Sequence, residues 1–379
     1  MVRRRTLLYR ALFNVHLYVG LIIGLAIVIV GLTGSIIVYW RDLDEMLNPD
    51  MAVAAGADPV QVLDRAMAAL RTEYPENTRA WRIHFPRHGQ SAIVGEYYDP
   101  PQRPGVWGSA SYVIIDSNTG NTRSAWYWNE TVISWIYTLH MYLQAGHIGH
   151  DLVGWTGIVL LFLSVSGIYL WWPRKFNRSA FLMSWRADWP RVEYDSHRLF
   201  GLYSLLVILV VTITGINIVY PKAVGAVVGI FSPVAPMPAG LQSKPREGQQ
   251  RLPVSTAVAI ALQAFPDAQP QMLVTPADES GVYRIVLRQP METFNPHTGQ
   301  TQVWLDQYSG DTLHVRDPRR FNAGTALHGM TYSLHNGEAF GEVGRFIVFL
   351  TGPVLLWMYV TGIARWLRRR RLAAADRKE

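Results

Sequence analysis

Apolar residues along this chain gather into four long runs, at about 17–40, 152–172, 199–220 and 346–366, while Asp, Glu and Pro collect between them. Each run is as long as the roughly 20 residues that a bilayer's hydrocarbon core requires, which predicts four transmembrane helices. The pattern changes between runs one and two, and again between three and four. There 60–73 and 254–265 read as amphipathic helices ended by Pro75 and Pro266, and 91–98, 112–115, 282–287 and 302–305 alternate like strands. The turns Asp116 to Gly120 and Asp306 to Gly310 follow strands in both loops, so each loop is predicted to be a small α+β unit.

The two halves repeat. HLYVGLIIGLAIVIVGLTG from His16 answers HRLFGLYSLLVILVVTITG from His197. Each histidine stands four positions before a glycine (Gly20, Gly201) and seventeen before a Thr-Gly pair (Thr33-Gly34, Thr214-Gly215). LHMYLQAGHIG from Leu139 likewise answers LHNGEAFGEVG from Leu334, and from His140 and His335 it is twenty-seven residues to Gly167 and Gly362. This predicts a tandem duplication. The fold class expected is therefore a mainly α membrane protein of four transmembrane helices in two pseudo-repeats, with two extracytoplasmic α+β modules. Its divisions are a first transmembrane helix (1–40), a module (41–132), an interfacial helix with the second span (133–173), a cytoplasmic loop (174–196), the third span (197–220), a second module (221–325), an interfacial segment with the fourth span (326–366) and a tail (367–379).

Composition supports a membrane protein with large parts outside the bilayer: 49% of residues are hydrophobic and 12% aromatic. Basic residues near span ends resist translocation. They lie at Arg3 to Arg5, at Arg174, Lys175, Arg178, Arg186 and Arg191, and at Arg365 and Arg368 to Arg371. Both termini are thus expected in the cytoplasm and both large loops in the periplasm, with the first span retained as an anchor rather than cleaved. The formal charge of +7 is explained by this topology and calls for no nucleic acid. With no cysteine, disulfides, iron–sulfur clusters and covalently attached haem are excluded. No zinc-protease, nucleotide-binding or nucleophile-elbow motif occurs.

Helix, strands and the Asp-x-x-x-Gly turn resemble the PepSY module, and the four spans resemble the PepSY-associated transmembrane family over nearly the whole chain. "WWPRK" from Trp171 and "LHNGE" from Leu334 are typical of that family. Within it, the chain is similar in length to inner-membrane ferric-siderophore reductases of the FoxB type, which carry haem between their helices. The resemblance implies a haem-dependent oxidoreductase.

The residues point the same way. A histidine in an apolar span is costly unless it faces a partner or a cofactor. His16 and His197 are expected at one depth near the cytoplasmic face, and His140 and His335 at one depth near the outer face. Two such pairs suit two non-covalent b-type haems, each held by two imidazoles as axial ligands of the iron. Gly20 and Gly201, one helical turn from their histidines, would let a flat macrocycle approach the backbone, and Gly146, Gly149, Gly341 and Gly344 would do likewise outside. The plainer readings are interhelical hydrogen bonding for the histidines and helix packing for the Thr-Gly pairs. His150 rivals His140 as a ligand, while His84, His88, His297, His314 and His328 read as surface residues.

Electrons would then enter from a cytoplasmic or membrane donor that the sequence does not identify, cross between the pairs, and reduce a periplasmic ferric siderophore. Hard oxygen ligands hold Fe(II) far more weakly than Fe(III), so reduction releases the metal. Trp126 and Trp128, with Trp135, Tyr137 and Tyr142, form a candidate substrate wall beside the outer pair, joined by His147 and His150; an aromatic belt in contact with membrane lipid reads equally well. Helical rise puts about 27 Å between His16 and Gly34, so the expected wire needs an intermediate step. Other classes remain open: a non-enzymatic PepSY regulator of periplasmic peptidases, a transporter, and a cytochrome b with another acceptor.

Overall fold

The first apolar run folds as α1 (Leu7–Ile37), uninterrupted because nothing within it breaks a helix and its backbone groups have no water to turn to. After it come α2 (Trp40–Leu47) and α3 (Pro59–Glu73), the latter started by Asp58, whose carboxylate accepts from the Val60 N–H at 3.0 Å. Four strands follow: β1 (Arg82–His84), β2 (Ala92–Tyr98), β3 (Ala110–Asp116) and β4 (Thr122–Tyr127). Then come α4 (Val132–Tyr142), α5 (Gly146–Trp171), α6 (Trp189–Tyr203), α7 (Leu205–Val219), α8 (Pro221–Gly229) and α9 (Val254–Ala264). The chain continues through β5 (Gln269–Val274), β6 (Val282–Arg288), β7 (Thr301–Asp306) and β8 (Thr312–Arg316) to α10 (Ala323–Gly329), α11 (Thr331–His335), α12 (Gly341–Phe349) and α13 (Thr351–Ala375). This computed structural model describes residues 7–53, 58–77, 79–86, 92–98, 110–172, 178–245, 248–294 and 299–375. The expected residues Arg3 to Arg5, Arg174, Lys175, His88, His297 and Ser91 lie outside the described residues.

Among the described residues three helical stretches are long and apolar enough to cross a membrane, Leu7–Ile37, Gly146–Trp171 and Glu338–Ala375, and α6 with α7 makes a fourth if that bent pair is one span. Their large apolar side chains point outward, as at Ile22 (73% exposed) and Leu206 (74%), where only lipid would cover them. The chain is a multi-pass membrane protein. The third run is not the continuous helix expected over 199–220: it bends by 58° between α6 and α7. There the Ser204 hydroxyl donates to the Phe200 carbonyl, three residues after Gly201, a combination that bends helices. In the fourth run α12 stops at Phe349 because Pro353 has no N–H to return to that carbonyl.

The two loops do not stand apart. Their strands form one antiparallel sheet in the order β4-β3-β2-β1-β5-β6-β7-β8, joined where Arg82, Ile83 and His84 pair with Val274, Leu273 and Met272. A single core runs under it: Leu63 and Leu70 of α3, Ala257 and Ala261 of α9, and Ile83, Ile93, Leu273, Ile285 and Leu305 of the strands are all fully buried. Each buried aliphatic side chain contributes about 1.5–3 kcal/mol, so the shared core is a strong reason for the loops to fold as one body. The turns close as expected. The Asp116 carboxylate accepts from the N–H groups of Asn118 and Thr119, Asp306 does the same for Tyr308 and Ser309, and Gly120 and Gly310 supply the left-handed φ of 76° and 77°.

Candidate functional site

All four repeated histidines carry the same kind of hydrogen bond, always at Nδ1. His140 on α4 donates to the Val30 carbonyl of α1 at 2.9 Å, and His335 on α11 donates to the Val211 carbonyl of α7 at 2.9 Å. A carbonyl accepts only, so both rings must carry their proton on Nδ1. His16 on α1 faces the Ser166 hydroxyl of α5 at 2.8 Å, and His197 on α6 faces the Thr361 hydroxyl of α13 at 2.8 Å. Those hydroxyls also lie within reach of the carbonyls of Leu163 (3.1 Å) and Trp357 (2.8 Å); with their own protons given there, they accept from the imidazoles. Nε2 of His140 and His335 is therefore an unprotonated lone pair, as it is in His16 and His197 when their Nδ1 donates to the hydroxyls, and none of the four hydrogen-bonds through Nε2 among the described residues. Anchoring Nδ1 to leave Nε2 basic is the arrangement that prepares a histidine to bind a metal.

The glycines of the Thr-Gly pairs seat the outer two rings. A Cβ on Gly34 would lie 2.7 Å from Cε1 of His140, and one on Gly215 would lie 3.0 Å from Cε1 of His335. Thr33 and Thr214 stand beside them, their oxygens 3.4 Å and 3.2 Å from the same Nδ1 atoms. Helix packing alone does not account for these pairs: they position the histidines. Close approach brings the two rings within 6.2 Å of each other, centroid to centroid, with planes at 51°. One metal ion bridging two imidazoles at about 2 Å from each nitrogen would need a span of about 6 Å.

His16 and His197 meet at a different place. Both line an apolar cavity of about 270 Å³ between α1, α5, α6, α7 and α13. Gly20 and Gly201 line it as well, and a Cβ on Gly20 would touch nothing nearer than Leu163 at 4.0 Å. That glycine is left open toward the cavity, as a macrocycle would require. Gly201 is closer to its neighbour, the mobile end of Met358, at 3.1 Å. Of the outer glycines, Gly149 and Gly344 do not face open space, whereas a Cβ on Gly341 would meet nothing within 4 Å. Gly149 lies against the Tyr142 carbonyl, and Gly344 against that of Gly337, so these residues let the preceding loop pack onto the start of the next helix.

The candidate substrate wall packs largely on itself. Trp128 sits edge-on to Trp40 and Tyr137 with centroids 6.1 and 5.4 Å away, and leans on Tyr112 at 5.2 Å. Trp126 is half-buried on β4, opposite Tyr112, and Trp135 is 47% exposed. Tyr142 stacks on His150 at 5.2 Å, which places His150 outside the His140–His335 pair; His147 is exposed. The residue matching His150 in the second half, Arg345, has become an anchor: it pairs with Asp42 and Glu342 and lies 4.2 Å over the Tyr39 ring. Of the remaining histidines, His84 bonds Glu96 at 2.7 Å, His314 packs on Trp304, and His328 lies 3.4 Å from Asn217. Sequence reasoning missed Ser166 and Thr361 and the carbonyls of Val30 and Val211. The first two were within reach, since each precedes Gly167 or Gly362, the repeated glycines already noted; a backbone carbonyl leaves no trace in sequence.

Haem fits this donor set better than a bare ion does. Among the described residues no group of three or more His, Cys, Asp or Glu side chains gathers to hold a metal, whereas a porphyrin brings four nitrogens of its own and asks the protein for two. Paired imidazoles with free Nε2 atoms, and at the inner site an apolar slot with an open glycine, meet that request. No curated protein matches the chain. A family model does, over residues 13–369, and so covers every span and all four histidines. The chain belongs to the family of the PepSY-associated TM region.

Proposed function

We propose that this protein is a di-haem reductase of the bacterial inner membrane that passes electrons from the cytoplasmic side to a ferric siderophore in the periplasm, releasing Fe(II) for uptake. The observation that carries the reading is the fourfold recurrence of one device, an imidazole anchored through Nδ1 with Nε2 left free, at positions 181 residues apart (His16, His197) and 195 apart (His140, His335). The acceptors keep the same offsets: Val30 and Val211 differ by 181, and Ser166 and Thr361 by 195. A tandem duplication that preserved a cofactor-binding task in each half explains this, and it makes the two sheet halves two PepSY-like modules. Both termini lie in the cytoplasm on this reading, where the basic residues between α5 and α6 and at the end of α13 belong.

Haem, when bound, supplies reversible one-electron chemistry. The chain's part is to hold and tune it. Val30, Val211, Ser166 and Thr361 fix the tautomer and the ring orientation of the four ligands, and Gly34 and Gly215 fix the approach of the outer two. The surrounding Ile and Leu side chains keep water from the inner pair, a lever on redox potential. The bend between α6 and α7 is a feature that transport would also use, but a transporter has no need of four prepared Nε2 atoms.

The test is stopped-flow mixing of the dithionite-reduced, desalted protein with a ferric trihydroxamate in the presence of an Fe(II)-specific chelator. The reading expects the reduced haem bands to decay together with the appearance of the Fe(II) complex, one Fe(II) per electron lost. Haem bands that decay only with oxygen would leave the cytochrome and remove the siderophore from the account.

A further inference from the structure

The cavity shared by His16 and His197 has two unlike ends. Toward the middle of the helices it is closed by Ile27, Ile208 and Leu355. At the other end stand three guanidinium groups, Arg198, Arg365 and Arg369. Arg198 pairs with Asp195 at 3.2 Å, a carboxylate it shares with Arg191 at 3.1 Å, and the adjacent carboxylate of Glu193 is taken by Arg368, which does not line the cavity. Glu193 faces Arg365 only beyond ion-pair distance, and neither Arg365 nor Arg369 forms a salt bridge among the described residues. Their close contacts are aromatic faces, Tyr194 at 4.8 Å from Arg365 and Phe13 at 4.6 Å from Arg369, and neither guanidinium makes a hydrogen bond among the described residues. Five N–H donors in a planar fork match a carboxylate, and an aromatic face offers them nothing of the kind. Two unmatched cations at one end and hydrocarbon at the other describe an amphiphilic ligand carrying two negative charges.

We infer that Arg365 and Arg369 receive the two propionate carboxylates of the haem held by His16 and His197, so that the macrocycle enters this cavity with its charged edge toward the basic end of α13. The inference rests on the haem reading and adds an orientation and two binding residues to it. The other source of an amphiphilic anion at this place is a lipid headgroup.

Haem and its dimethyl ester, whose carboxylates are blocked, separate these possibilities. The full-length chain carrying His140→Ala and His335→Ala, prepared without haem, presents only the inner site. It is titrated with each compound, following the Soret band and tryptophan quenching, beside the same protein with Arg365→Gln and Arg369→Gln. The expected result is that the inner site binds haem at least about 10-fold more tightly than the ester, the scale of charge-assisted hydrogen bonds, and that the double arginine variant binds the two alike. Its affinity for the ester should not change, which also shows that the variant is folded. Equal binding of haem and ester by the parent site would overturn the assignment, as would arginine variants that weaken both ligands equally. Loss of co-purifying phosphatidylglycerol from the variant without any haem-against-ester discrimination in the parent would also overturn it and give the arginines to lipid. Binding of neither compound by a protein with intact circular dichroism would refute the haem reading itself.

Discussion

The proton on Nδ1 decides what the other nitrogen of an imidazole can do. At the inner pair that proton is fixed by Ser166 and Thr361, so Ser166→Ala or Thr361→Ala should weaken inner haem binding by about 10–100-fold, the usual cost of losing such a partner, and shift its potential. Haem titration and redox potentiometry read both effects; an unchanged affinity and potential would mean that these hydroxyls only pack. Neighbouring glycines on α1 should part company for a related reason. A Cβ on Gly20 meets only Leu163 at 4.0 Å, whereas one on Gly24 would lie 2.5 Å from the Tyr359 ring. Gly24→Ala should therefore destabilise the protein itself by about 1–3 kcal/mol through overpacking, while Gly20→Ala should leave the haem-free protein as stable as before and weaken inner haem binding. Thermal unfolding with and without haem distinguishes them, and equal destabilisation of the haem-free forms would contradict the cavity assignment. The four histidines were legible in sequence because duplication marks them twice. Arg365 and Arg369 were legible only as topological charge, since whether an arginine meets a carboxylate is a fact of three dimensions.

Periodicity carries the helices and strands with long patterns, and it fails where geometry turns on a single atom. The 58° bend between α6 and α7 was hidden because Leu199 to Tyr220 carries no charge or proline, and a serine hydroxyl turned back on its own helix leaves hydropathy unchanged. β1 was missed for a different reason: three residues are too few to show alternation, yet they hold the two halves of the sheet together. That joint makes a prediction about cooperativity. Leu273→Ala, at a fully buried position opposite Ile83, should cost about 2–5 kcal/mol and lower hydrogen-exchange protection in β2 and β3 as well as in β6 and β7. Loss of protection confined to β5 to β8 would mean that the halves fold as separate modules. The α2 helix adds a pH dependence. Burial pushes the Asp44 carboxyl up to about 6, against its hydrogen bonds from Thr131 and Asn48. A carboxyl raised on folding favours the native state when protonated, so its penalty grows as pH climbs from about 4 to about 6 and is full above that. Asp44→Asn keeps an oxygen for Asn48 and Thr131, and should stabilise the protein above pH 6 by up to about 2–3 kcal/mol, with no gain below pH 4. Thermal unfolding at the two pH values checks this, and a variant less stable at pH 8 would contradict it.

At the scale of the whole molecule, two pairs of imidazoles sit in a membrane protein whose strands form one continuous sheet packed on α3 and α9. His140 and His335 lie against residues 30–34 of α1 and 211–215 of α7, and His16 lies near the other end of α1. With 14 to 18 residues of helix between them, the pairs are about 21–27 Å apart along the axis. Tyr359, on the cavity wall against Gly24, lies between those levels. The most direct test is the reduced-minus-oxidised absorption spectrum, with haem content per chain, of the wild-type protein and its four single His→Ala variants. The account predicts two b-type haems in the wild type, loss of one and the same centre in His16→Ala and His197→Ala, and loss of the other in His140→Ala and His335→Ala. A folded, colourless wild-type protein from haem-replete cells, or one centre lost in common by His16→Ala and His335→Ala, would contradict it.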